Sequence, residues 1–360
     1  MTNKFCRLLT NGYSFRLSEN NLQLKPCCWY KFPIKFDQDY IINRQKQFES
    51  INDWTPGCYQ CNHQEKSNIP SLRQSGPDWI AEDSASDAVM LDIFLDNECN
   101  AACVTCNENS SSLWAKENSK QHNITYIKNL NNIDLHIKNI VDNVSLEKVT
   151  YVKFFGGEPL FTDTHLKFLE HIPNPATVTI HYTTNGSIYP NKETLAMWDK
   201  FKLVIFAASL DGVEEQFDYV RWPLPWDKVS NNLLRIKSEG PYNLMFRVEF
   251  TANLLNTYYY DRLEQWINDH LITNRLGDVT DVNIHKCVGG TWDIDKMPAG
   301  CRNLILEKYH ELHHIHQLVS TLPPAGSLVQ WKNFIKTWDS RRGNNWKTAF
   351  PDLVEYFDHE

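Results

Sequence analysis

Three thiols stand within eight residues, Cys99-Asn100-Ala101-Ala102-Cys103-Val104-Thr105-Cys106, spaced Cys-x3-Cys-x2-Cys. Thiolates are soft ligands that select zinc, Cu(I) or iron–sulfur clusters. Structural zinc favours Cys-x2-Cys knuckles in pairs and closes with four ligands. A cubane iron–sulfur cluster also usually takes four thiolates. Three leave one iron open to a ligand that is not protein, and at an open iron a reaction can begin. A second feature follows a later apolar run: Val149 to Phe155 leads into Gly156-Gly157-Glu158-Pro159. Paired glycines allow positive φ and a close backbone approach, and a carboxylate beside them can accept hydrogen bonds from an ammonium group. Alone, that turn is equally well explained as a tight strand-to-helix connection.

Five of the ten cysteines precede residue 87: Cys6, Cys27, Cys28, Cys58 and Cys61. Cys6, Cys58, Cys61 and one of the adjacent pair Cys27/Cys28 make four ligands for a single site. From spacing alone, that site suits zinc or iron–sulfur. Cys287 and Cys301 read as buried thiols, the ordinary state of free cysteine; a functional version would make one of them a hydrogen donor or an auxiliary ligand. His310, Glu311, His313, His314 and His316 invite a metal reading, since His310 and His314 are spaced i, i+4, but a polar helix face explains them better.

The elements that must position these residues follow from periodicity. Ser14–Leu17 and Leu22–Lys25 flank a polar turn and read as a hairpin. Strands are predicted at 90–95, 148–155, 177–182, 203–208, 244–250 and 281–285. Between them, Ile133, Ile137, Ile140 and Val141 share a helical face, as do Val229, Leu233 and Ile236, and Tyr259, Leu263, Trp266 and Ile267. Repeated strand–helix units imply a parallel sheet, open or curled, with its chemistry at the C-terminal strand ends. The cysteine run lies just past the first such end. Beyond residue 290, Ile305, Tyr309, Leu312 and Val319 suggest one helical face and Leu328, Trp331, Ile335 and Trp338 another.

Together, the cysteine run after the first strand and the Gly-Gly-Glu turn after the second resemble the radical S-adenosylmethionine (radical SAM) superfamily over residues 87–290. Thr184-Asn185-Gly186, Ser209-Leu210-Asp211-Gly212, Tyr219-Val220-Arg221 and Arg247 to Asn253 extend the match in order. Thr105 departs from it, because an aromatic residue often precedes the third cysteine and packs on adenine. The resemblance implies an α/β fold: a partial (β/α)6 TIM-like barrel at 87–290, preceded by a cysteine-rich module at 1–86 and followed by a helical extension at 291–360. It implies a [4Fe-4S] cluster on Cys99, Cys103 and Cys106, with SAM on the open iron. One electron would cleave SAM to a 5′-deoxyadenosyl radical that abstracts hydrogen from substrate. Gly156, Gly157 and Glu158 would then hold the methionine ammonium, Ser209 and Asp211 the ribose or carboxylate, and Arg221 the carboxylate, with Thr184 and Asn185 completing the cofactor site.

The N-terminal segment resembles a SPASM/Twitch auxiliary module placed before the barrel, whereas in most relatives it follows. One auxiliary [4Fe-4S] cluster is implied, with Cys27, next to Pro26, favoured over Cys28. Arg341-Arg342-Gly343 and Trp346 to Phe350 resemble Twitch-type segments, or form a surface turn. Modules of this kind are frequent among maturases of ribosomally synthesised peptides, so the expected reaction is crosslinking, epimerisation or backbone excision on a precursor peptide. A separate leader-peptide-binding protein and an electron donor such as flavodoxin or ferredoxin are the implied partners. The alternatives are a small metabolite, such as a sugar or nucleotide, and a non-catalytic metal-stabilised binding protein.

At 360 residues the chain can bury one large domain and a smaller module. A net charge of -8 argues against an electrostatic grip on nucleic acid or an anionic membrane. No signal-peptide pattern or bilayer-length apolar run is seen, which predicts a cytoplasmic protein. Twelve tryptophans predict a heavily packed core or an aromatic cleft.

Overall fold

The computed structural model describes residues 6–18, 21–32, 34–35, 54–66, 71–75, 87–122, 132–277 and 280–358. The fold is mixed α/β with a mostly parallel sheet. Two compact units interleave along the chain: Met1–Glu98, Asn123–Thr183 and Pro190–Ile205 form the first, and Cys99–His122, Thr184–Tyr189 and Phe206–Glu360 the second.

In the first unit, β1 (Gly12–Ser18) and β2 (Asn21–Lys25) pair antiparallel, as the hairpin pattern predicts. The two middle residues of its turn, 19 and 20, lie outside the described residues. β3 (Ile34–Lys35) adds to β2. On its other edge β1 pairs parallel with β4 (Val89–Phe94), which pairs parallel with β5 (Val149–Phe154), and β5 with β6 (Thr179–Thr184). β4 is buried along its whole length, as a central parallel strand should be. One sheet face is apolar: Leu91, Ile93, Val152, Phe154, Ile180 and Tyr182 are buried. Ile137 and Ile140 come from helix Ile133–Asn143 and Phe168 from helix Thr164–Leu169. Phe168 meets Phe154 with ring centroids 6.1 Å apart, and Trp198 packs on Tyr182 at 5.1 Å. β6 begins and ends two residues later than predicted. Its start is displaced by the 3-10 turn Pro175–Thr177, which takes the first of the residues assigned to the strand.

β7 (Leu203–Ser209) runs from the first unit into the second, where β8 (Leu244–Ala252) and β9 (Asp281–Lys286) pair parallel. β8 alternates buried and half-buried residues, and helices Trp226–Glu239 and Tyr260–His270 bury Val229, Leu233, Ile236, Leu263 and Ile267. The predicted helical face Ile305–Val319 is two helices, Ala299–Lys308 and His314–Ser320. His313 breaks it: its side chain accepts the Ile315 N–H as an N-cap, so Leu312 sits in the intervening turn, 77 % exposed. The His310/His314 spacing is therefore not one helix face. Trp331, Trp346 and Phe357 stack on one another, and Trp292 and Trp338 pack nearby, so tryptophan serves the core here. Among the described residues, no helix is long and apolar enough to cross a membrane.

Candidate functional site

The cysteine loop belongs to the second unit, and its backbone is fixed at nearly every step. Ala102 N–H donates to the Trp222 carbonyl at 2.7 Å and Val104 N–H to Val220 at 2.9 Å. The Ser111 hydroxyl donates to the Ala101 carbonyl at 2.6 Å, and Trp114 Nε1 to the Cys103 carbonyl at 2.7 Å. Such bracing holds thiols at set positions before any ligand arrives. The Cys99 sulfur accepts the Ala101 N–H at 3.4 Å. Arg221 Nη1 stands 3.9 Å from the Cys103 sulfur, while Arg221 Nη2 pairs with Asp211 Oδ2 at 2.7 Å. Arg221 thus bridges the cysteine loop to the strand end that carries Ser209 and Asp211.

Asp211 is fully buried. Its Oδ1 accepts the Thr251 N–H at 2.8 Å and its carbonyl accepts Asn256 Nδ2 at 3.0 Å. Asn185, from the Thr-Asn-Gly motif, donates to Asn100 Oδ1 at 2.9 Å, and Asn100 Nδ2 donates to Ser187 Oγ at 2.8 Å. Thr184 is buried and its hydroxyl accepts the Gly186 N–H at 3.1 Å. The second unit therefore holds Cys99, Cys103, Cys106, Asn185, Asp211 and Arg221, with Asn185 bonded to Asn100 of the loop and Arg221 to both Cys103 and Asp211; Ser209 is buried at the end of β7. Burial pushes the Cys103 thiol above its usual range, and the Arg221 cation opposes this. Burial, reinforced by Cys103, takes Cys106 up to about 12. Burial disfavours the Arg221 cation, but the Asp211 carboxylate and Cys103 outweigh it and hold Arg221 above its ordinary value.

Gly156, Gly157 and Glu158 belong to the first unit. Gly156 (φ 82°) and Gly157 (φ 54°) both take left-handed backbone. A Cβ on Gly156 would enter the Phe94 ring, and one on Gly157 would meet the Glu98 carbonyl. Glu158 N–H donates to that same carbonyl at 2.8 Å, so the turn is tied to the residue before Cys99. The Glu158 carboxylate is 1 % exposed and accepts the Leu160 N–H at 3.2 Å. Asp96 steadies the approach, accepting Glu98 N–H at 3.0 Å and the Thr162 hydroxyl at 3.1 Å.

The N-terminal thiols of the first unit line one cavity: Cys6, Cys27, Cys58 and Cys61, walled by Trp29, Tyr30, Trp54 and Arg73. Cys28 is absent from its lining; its N–H donates to Asp92 Oδ2 at 3.1 Å, and its thiol also bonds that carboxylate. The Thr55 hydroxyl donates to the Cys58 sulfur at 3.3 Å. Burial raises all four thiols, Cys6 to about 12 and Cys27 well above the usual range. Backbone N–H groups oppose it at Cys6 (from Leu8) and at Cys61 (from Leu72 and Arg73). Hydrogen-bond donors aimed at sulfur are what a thiolate ligand needs, and a bound metal completes the deprotonation. The donor sets at both places fit iron–sulfur ligation. Among the described residues no group of three or more His, Cys, Asp or Glu converges tightly enough for a single metal ion. A cluster several ångströms across holds its thiolates farther apart than one ion does.

Of the remaining candidates, Cys301 is fully buried in helix Ala299–Lys308, and Cys287 follows β9 with burial, Asp293 and Asp211 taking it up to about 12. His313 is 3.3 Å from Glu264. Arg342 is no surface turn: it pairs with Glu117 at 2.7 Å and lies over the rings of Trp114, Trp222 and Trp338, while Gly343 (φ 66°) ends its helix. Sequence reasoning missed Asn100, Asn256, Glu65 and Arg73. Only Asn100, inside the cysteine run, carried a positional signal.

No protein-family model and no curated protein matches this chain. Among solved structures it is similar to anSMEcpe with bound AdoMet: 14 % identity, 66 % of this chain, 63 % of that one, TM-score 0.44. The chain thus spans less than two thirds of that protein's length. It is also similar to SuiB of Streptococcus suis bound to S-adenosylmethionine: 14 % identity, 95 % and 73 % coverage, TM-score 0.38. SuiB bound to its precursor peptide SuiA gives 14 % identity, 97 % and 75 % coverage, and TM-score 0.37. At these scores the likeness by itself assigns nothing.

Proposed function

We propose that this chain is a radical SAM enzyme that modifies a ribosomally synthesised peptide. The observation that carries the reading is the linkage of Cys103, Arg221 and Asp211 within one unit, on a loop whose backbone is braced from Trp222, Val220, Trp114 and Ser111. In it, Cys99, Cys103 and Cys106 hold a [4Fe-4S] cluster with one open iron. When bound, that cluster supplies the electron that cleaves SAM.

The chain's own residues have distinct tasks. Arg221 keeps a buried positive charge beside Cys103, favouring the thiolate form needed for ligation. Asp211 neutralises Arg221 and fixes its direction, and its other oxygen is occupied by the Thr251 N–H. Asn185 and Asn100 tie the third-strand end to the loop. Gly156 and Gly157 open the backbone so that a polar ligand can approach Glu158.

In this reading residues 1–86 form an auxiliary module with a second cluster on Cys6, Cys27, Cys58 and Cys61, residues 87–290 the core, and 291–360 a helical cover. The protein works in the cytoplasm with an external one-electron donor, flavodoxin or ferredoxin, and a leader-binding partner. The test is anaerobic incubation with SAM, dithionite and candidate precursor peptides. 5′-Deoxyadenosine with a mass change on a peptide supports the proposal. 5′-Deoxyadenosine with turnover of a sugar or nucleotide alone would replace the peptide, and no 5′-deoxyadenosine at all would remove the enzyme.

A further inference from the structure

Among the described residues, one cation lines the four-thiol cavity. Arg73 is held there by Glu65, with Arg73 Nε 3.1 Å from Oε1 and Nη2 2.6 Å from Oε2. Ser71 Oγ donates to the same Oε1 at 2.7 Å, and the guanidinium lies 5.5 Å from the Trp54 ring centroid. Both side chains of the pair are nearly buried, 8 % and 9 % exposed. Such a two-point clamp fixes the plane and direction of a guanidinium. The clamp segment also serves a ligand directly, because the Leu72 and Arg73 backbone N–H groups donate to the Cys61 sulfur. The Arg73 charge favours the thiolates of Cys6 and Cys58.

We propose that Arg73, oriented by Glu65, is a positioning residue that raises the reduction potential of the N-terminal cluster and so poises this site to accept an electron. The inference rests on the auxiliary-cluster reading above. Four thiolates place excess negative charge on a buried cluster, and reduction adds one more. A fixed cation in a low-dielectric wall stabilises the reduced state, and donors to sulfur act in the same direction. Glu65 is the counter-charge to Arg73 and is not among the residues that line the cavity, so its own field acts with the opposite sign.

The experiment is an EPR-monitored redox titration of the anaerobic full-length protein, with the core cluster removed by Cys103→Ala so that one signal is read. Arg73→Gln should lower the midpoint until the reduced-to-oxidised ratio at a fixed potential falls about tenfold, or 59 mV for one electron. Arg73→Lys should restore most of it. Glu65→Gln should shift the midpoint upward. A clamp that only held the loop would move Arg73→Gln and Glu65→Gln in the same direction, or not at all, and either result overturns the inference. Iron content separates the two ideas: if the Cys103→Ala protein carries no cluster, the auxiliary site itself is wrong.

Discussion

The two cysteine sites solve the same problem in different ways. The N-terminal site draws four thiols from three separated stretches of chain, and its walls are aromatic with one clamped arginine. The second-unit site has three thiols on one short loop, held by backbone bonds to Trp222 and Val220 and by the Trp114 indole. In the proposed reading, four ligands from separate segments would close a cluster and staple the fold around it, whereas three ligands on a braced loop would leave one iron open. The division of labour this reading implies is that the closed site would hold electrons and the open one would bind and break a ligand.

The sharpest way to break this comparison is Cys103→Ala. It should reduce 5′-deoxyadenosine formation at least a thousandfold, read by chromatography, while leaving the N-terminal iron in place. Cys58→Ala should do the reverse, losing the other portion of iron and sulfide while SAM cleavage persists. Equal total iron loss in both variants would merge the two sites into one.

Next comes the Asp211–Arg221 pair. Asp211→Asn leaves the Arg221 charge buried without its counter-ion, a defect worth roughly 3–5 kcal/mol. Thermal unfolding should show a large drop, and SAM affinity measured calorimetrically should fall with it. Gly156→Ala tests the Gly-Gly-Glu turn of the first unit. Left-handed strain and collision with Phe94 should cost roughly 2–3 kcal/mol. SAM cleavage should fall further than iron content, because the cysteines are untouched.

A pH effect of similar size sharpens the account of the scaffold. His165 is buried against Tyr182 at 2.9 Å, and burial lowers its value from 6.5 to about 4. The unfolded chain therefore binds a proton near pH 6.5 that the folded chain refuses until about pH 4. Stability should fall on acidification through that window, by up to about 3 kcal/mol. His165→Gln should flatten this part of the pH–stability curve, measured by denaturant titration.

The strands and the cysteine loop were legible because apolar runs and clustered thiols are local signals. β4, β5 and β7 were predicted within a residue or two of where they lie. Cys6, Cys27, Cys58 and Cys61, which the sequence offered among the candidates for one ligand set, line one cavity; the preference for Cys27 over Cys28 came from the family resemblance, not from spacing. What separates the two cysteines physically is Asp92, sixty-four residues away, and no spacing rule reports it. Arg73 and Glu65 were invisible for the same reason: a charge pair eight residues apart reads as solvated surface until the fold buries it. The Ile305 to Val319 pattern failed because His313 caps a new helix with its own side chain, a local hydrogen bond that outweighs periodicity.

The most direct test of the central claim is EPR of the reduced, anaerobically prepared protein with and without SAM, alongside iron and sulfide counting. The account predicts a [4Fe-4S] signal whose g-values shift when SAM is added, with the shift lost in Cys103→Ala. A signal indifferent to SAM, or a preparation holding zinc in place of iron, would contradict it.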